Sequence, residues 1–176
     1  MVTGSKNGYF CGLGCAICLM AFLGIFRPAL VHAQDKTAYT VGNISPDPSI
    51  DDPEFRFCSD TYVFQGYELR TKDNDKRKEI NDYLLQEFRP DPSWHAETGF
   101  IVVRFGVNCL GLTGRHRISG IGPDLKPKHF SERLSQYLLK LVKQTRWPEG
   151  SYKFMTVDYY QSVIFKIENG KLIAAL

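Results

Sequence analysis

Cys109 and His116 lie seven residues apart across a candidate hairpin turn. A thiol held beside an imidazole can become a thiolate nucleophile, so this pair is the first place to look for chemistry. No group able to stabilise an oxyanion is identifiable beside it. The chain has no His-Glu-x-x-His, no nucleophile elbow, no phosphate-binding loop and, past residue 33, no Cys-x-x-Cys. His95, His116 and His129 are each isolated in sequence, whereas a metal site needs its ligands gathered in space. The expectation is ordinary surface or strand histidines, with no catalysis, no cofactor and no metal.

Two other groupings invite a binding role. Arg115, His116 and Arg117 form a small basic cluster just after the turn. It reads either as a solvated strand end or as a contact for an acidic partner or polymer. Cys58 and Cys109 are the two cysteines beyond residue 33. They form either one disulfide, closing a loop of about 50 residues, or two separate buried thiols; the spacing leaves both open. Overall charge narrows the partners. Lys and Arg number 22 against 19 Asp and Glu, and leaving out Lys6 and Arg27 gives 20 against 19, or +1. That supplies no basic stripe, so nucleic acid is not an expected partner. The 13% aromatic content suits a β-containing domain.

The elements that would position these groups can be taken in order. Lys6 precedes an apolar run from Tyr9 to Phe26, and Arg27, Pro28 and small residues follow up to Ala33. This is the form of a secretory signal over residues 1–33, with Val31 and Ala33 at the cleavage positions. The competing reading is an uncleaved anchor, because 18 apolar residues can just span a bilayer. Cys11, Cys15 and Cys18 within it read as small apolar residues. Residues 34–54, with Pro46, Pro48 and Pro53 among aspartates, read as a flexible lead-in. Residues 55–176 read as one domain. Phe55, Phe57, Tyr62 and Phe64 suggest one or two short strands. Ile80, Leu84 and Phe88 make the stripe of a first helix, which Pro90 and Pro92 stop.

From Phe100 to Val107 the chain is apolar on nearly both faces, as in a central strand covered by a helix. Gly111 and Gly114 allow a turn, and Arg115 to Ile121 returns antiparallel. Phe130, Leu134, Tyr137, Leu138, Leu141 and Val142 give the clearest helical period in the chain, over about 130–145, with Ser131 as its cap. Tyr159 to Glu168 reads as a last strand, and Asn169-Gly170 turns it into a short edge strand. The fold class is α+β, a small antiparallel sheet with two helices packed on one face.

The unit over about 79–168 resembles the C-terminal domain of TonB-like proteins. The matching pieces are Tyr83-Leu84 in the first helix, Thr98-Gly99-Phe100 with the strand to Val107, Gly111 to Arg115 at the turn, and Arg117-Ile118-Ser119-Gly120. Then follow the helix around Leu134 to Val142, Trp147-Pro148, and Val163 to Ile167. Stand-alone exported versions of this module, of the kind met in Bacteroidetes-like envelopes, are closer to this chain than the energy transducers. A TonB-type transducer couples through polar residues in its membrane helix, and Tyr9 to Phe26 contains no serine, histidine or charge. It also carries a long spacer rich in Pro, Lys and Glu, which residues 34–54 do not match. The resemblance implies a periplasmic or exported envelope module that binds a protein or extended peptide by strand addition. Arg115, His116, Arg117, Tyr159, Gln161 and Val163 would then be the partner-binding residues. The alternative is an inner-membrane-anchored transducer facing the periplasm and serving outer-membrane transport. A membrane is an expected partner only if the N-terminal segment stays uncleaved.

Overall fold

A computed structural model describes residues 42–59, 61–69 and 74–176. All of them fall in the second of the two units into which the chain divides, Asp35–Leu176. The expected leader of residues 1–33, its cleavage site and the first part of the lead-in lie outside the described residues. No helix among the described residues is long and apolar enough to cross a membrane.

In chain order the elements are β1 (Phe64–Gln65), α1 (Asn74–Glu87), β2 (Gly99–Val107), β3 (Thr113–Ile121), α2 (Glu132–Gln144), β4 (Gly150–Tyr152), β5 (Met155–Val157), β6 (Tyr159–Glu168) and β7 (Lys171–Ala175). The sheet runs β1, β6, β2, β3, with β7 also pairing β6, and β4–β5 form a separate hairpin. β2 and β6 pair antiparallel along their whole length, from Gly99 opposite Ile167 to Val107 opposite Tyr159. β2 and β3 pair from Phe100 opposite Ile121 to Val107 opposite Thr113, with one bulge beside Phe105.

Side chains alternate across a strand, and the two faces of β2 show it. Ile101, Val103, Phe105 and Val107 are at most 1% exposed. They meet Val163, Phe165 and Ile167 of β6, Leu84 and Phe88 of α1, and Leu134, Leu138 and Val142 of α2 in one apolar core. Both helices therefore cover one face, as the two helical periods require, and the described residues form a two-layer α+β structure. Trp147 seals the end of α2, its indole N–H donating to the Val142 carbonyl at 3.0 Å.

The opposite face is covered at one end by the chain before β1. Gly106 and Gly114 face Phe57 and Phe55, and a Cβ at Gly114 would lie 2.1 Å from the Phe55 ring. Asn169 and Gly170 both take positive φ, 50° and 73°, as the tight β6–β7 turn demands.

Four expectations change. Phe55 and Phe57 belong to no strand; they pack edge-on with ring centroids 5.2 Å apart, using the sheet as a floor. β1 is only two residues long and pairs parallel to β6, so the sheet is not purely antiparallel. Ser131 precedes α2 but its hydroxyl makes no cap; instead its backbone N–H donates to Glu97 Oε1 at 2.8 Å. Finally, residues 42–54 are not a loose lead-in. Arg117 forks onto Asp51 at 2.6 and 3.0 Å and also donates to the Ser45 carbonyl at 2.8 Å. Arg104 donates to the Gly42 carbonyl at 2.7 Å, and Ile44 is 5% exposed. Proline removes regular structure here but not tertiary contacts.

Candidate functional site

The basic cluster after the β2–β3 turn is built into the fold rather than displayed. Arg115 sits at φ 53°, in the bulge, with its guanidinium 4.7 Å from the centre of the Phe57 ring and donating to the Ile44 carbonyl at 3.3 Å. Arg117 holds Asp51 as described, and that hydrogen bond is the main reason the Asp51 carboxyl lies below the usual carboxylate range, against the opposing effect of burial. His116 turns to the other face and stacks on Phe105, the ring centroids 5.5 Å apart. Its Nε2 is buried without a hydrogen-bond partner among the described residues. Burial, helped by the nearby Lys143 ammonium, pushes the imidazole down to about 4. The three residues adjacent in sequence thus go to two faces, as strand alternation dictates, and do not form a single patch.

The three β6 candidates also separate. Val163 is 1% exposed and lies in the core. Tyr159 is buried, its hydroxyl donating to the Pro148 carbonyl at 2.8 Å, and burial holds its phenol well above the usual range. Gln161 is half-buried, and its Nε2 donates to the Ser162 carbonyl at 3.2 Å. Tyr159 and Gln161 share the wall of a groove of about 1080 Å³ that also touches Arg77, Leu112, Arg146 and Lys153.

β6 is not an edge. β2 lies along one side, and β1 and β7 cover the two ends of the other. Ile164 and Leu176 exchange backbone hydrogen bonds at 2.9 and 3.0 Å, and Gly66 donates to Tyr160 at 2.8 Å. Only Ser162, between them, has its N–H facing outward without a partner among the described residues. The expectation that β6 recruits a strand fails because Phe64–Gly66 and the returning β7 already occupy that side.

β3 is an edge strand of the sheet, as is the short β7, whose outer side no described strand pairs. The Ile164–Leu176 exchange shows that Ile164 points its polar groups away from β2. Alternation then aims those of Val102 at β3, where Ser119 is opposite. Ile118 and Gly120 must therefore face outward. The Gly120 carbonyl accepts from the Lys128 N–H at 2.9 Å, and the His116 carbonyl from Arg117 at 2.9 Å. Between them, the Ile118 N–H and C=O have no partner among the described residues, and no described strand pairs with that side of β3.

The cysteine question is settled by geometry. Cys58 and Cys109 form a disulfide with Cα atoms 6.0 Å apart. The Cys109 sulfur is therefore not a free thiol facing His116. Asp158, 1% exposed, accepts the N–H of Ser59 at 2.7 Å and that of Cys109 at 2.8 Å, so one carboxylate grips both arms of the cystine. Cys58, Cys109 and Asp158 are the one grouping among the described residues with metal-ligand proximity, and both sulfurs in it are spent on the disulfide. Asp158 and Asp51 were invisible in the sequence, where each is an ordinary acid beside a strand or a proline.

With this geometry the described residues form a two-layer α+β module with β3 as its long open sheet edge. No protein-family model, curated protein or solved structure matches it.

Proposed function

We propose that the chain is an exported, non-enzymatic module of the cell envelope, of TonB C-terminal-like fold, that binds a protein or extended peptide by strand addition along β3. The observation that carries this is the Ile118 N–H and C=O at an unpaired sheet edge, since such groups template an incoming strand. The order α1, β2, turn, β3, α2, Trp147, β6 supports the fold part of the reading. Edge selection moves from Tyr159, Gln161 and Val163 to the stretch from His116 to Gly120, with Arg117 and Lys128 as the groups a partner would displace.

The test is Ile118→Pro, which removes the outward donor at an edge position where proline is tolerated. Wild-type protein should retain an envelope protein or peptide in crosslinking pull-downs, and Ile118→Pro should lose it while still unfolding cooperatively. Equal recovery with a folded Ile118→Pro would remove strand addition at β3.

A further inference from the structure

The end of the molecule that carries the β2–β3 turn and the β4–β5 turn presents apolar side chains that the fold does not use. Phe154 is 102% exposed and Met155 62%, at the tip of the β4–β5 hairpin. Leu110 and Leu112, in the β2–β3 turn, are 67% and 59% exposed. Both turns border one groove, lined by Leu110 and Leu112 from the first and by Ser151, Lys153 and Thr156 from the hairpin. Among the described residues, the same groove is also lined by Arg77, Arg146 and Lys153 against Glu79 and Glu149. The arrangement is two turns with exposed apolar side chains, bordering a groove whose described lining carries more cations than anions.

We infer that this end of the domain docks on an anionic bilayer surface, the tips entering the interface and the groove cations facing the headgroups. Three observations point to a lipid surface rather than a protein. Phe154 has no packing role, so its exposure is not a by-product of stability. The excess of cations in the groove complements an anionic surface, to which basic groups near the headgroups are drawn. The exposed apolar groups sit on two separate turns. A protein partner needs about 800 Å² of complementary surface from each side, whereas a fluid interface conforms to protruding apolar tips without matching their shape. Aromatic and apolar side chains beside lysine and arginine are the composition of interfacial binding elements.

The test reads depth, because the apolar run from Tyr9 to Phe26 could itself bring the full chain to vesicles. Tryptophan is placed in the full chain at the tip, Phe154→Trp, and separately at the opposite end of the sheet, Leu125→Trp, where the native side chain is 74% exposed. The wild type corrects for Trp94 and Trp147, both buried. The vesicles are phosphatidylglycerol–phosphatidylcholine mixtures with brominated acyl chains, compared with phosphatidylcholine alone. On the anionic vesicles the tip tryptophan should lie about 5–10 Å into the interface and lose about half its emission, while the one at position 125 keeps its own. Equal quenching at both positions, or none at 154, would overturn the inference. Quenching at 154 that is the same on neutral vesicles would overturn the role of the groove cations.

Discussion

Replacing His116 with phenylalanine should flatten the pH dependence of stability on the acid side of neutrality. The imidazole lies on Phe105 with Nε2 unpaired among the described residues, and burial, then Lys143, hold it near 4 against an ordinary 6.5. Arg117 adds to that depression and Asp51 opposes it. Between those two values the unfolded chain binds a proton that the folded chain refuses. Stability is therefore full above about 6.5, falls as pH falls, and stops falling below about 4. Taken whole, the shift is worth about 2 kcal/mol at about pH 5. His116 is only half-buried, so solvent screening reduces this to about 1–1.5 kcal/mol. Urea unfolding of wild type and His116→Phe at about pH 7.5 and about pH 5, with the disulfide intact, measures it as a double difference. Asp47, Asp51 and Asp91 have lowered folded values, so their loss falls below the usual carboxylate range and outside this window. Phenylalanine keeps the stack and removes the unpaired nitrogen, so the variant should be no less stable at neutral pH. Equal losses for the two proteins between the two pH values would refute the burial argument.

Replacing Cys58 and Cys109 by serine should cost roughly 4 kcal/mol in urea unfolding, from the unfolded-state entropy that the closed loop removes. The native near-ultraviolet spectrum should survive, because Asp158 still holds both arms. Arg117→Met should free the turn around Asp51 at a cost of about 1–2 kcal/mol. Amide exchange should speed up at Ile50 and Asp51 but not in β2. Lowering the pH through the depressed Asp51 value should release the same turn in the wild type, since a carboxylate held below its unfolded value contributes only while ionised. Gly114→Ala places a methyl against the Phe55 ring and should cost about 1–3 kcal/mol. The Phe55–Phe57 contact would be lost with it, which near-ultraviolet circular dichroism would report.

The core was legible because it rests on periodicity. The four-residue steps from Ile80 to Phe88 and from Leu134 to Val142, and the two-residue step from Ile101 to Val107, each name a buried face and correspond to α1, α2 and β2. Asn169-Gly170 was legible because its backbone conformation restricts residue choice. What was not legible is lateral order. A strand's sequence states which face is buried but not which neighbour sits beside it: Asn169-Gly170 announced β7 next to β6, but nothing announced that β1 would pair parallel with β6 on the same side. The basic cluster misled for a related reason. Arg115, His116 and Arg117 count as one patch in sequence, but the pleat and the bulge send His116 against the Phe105 ring and the arginines to the segment around Ile44 and Asp51. Those partners are 66 and 71 residues away, beyond any local pattern. The β4–β5 hairpin carries no alternation long enough to announce it.

β6 has a consequence for the order in which the protein can be assembled. It is the strand that β1, β2 and β7 all require, and it occupies residues 159–168. During synthesis the chain from Gly42 to Val157 emerges with β2 open along one whole side, and Asp158, which grips the cystine arms, comes just before β6. A ribosome-bound nascent chain lacking β6 has no complete core to close, and contacts as distant as Ser59 with Asp158 wait until residue 158 has been made. The two cysteines are both made long before the carboxylate that aligns them, so native pairing is a late event in the life of the chain.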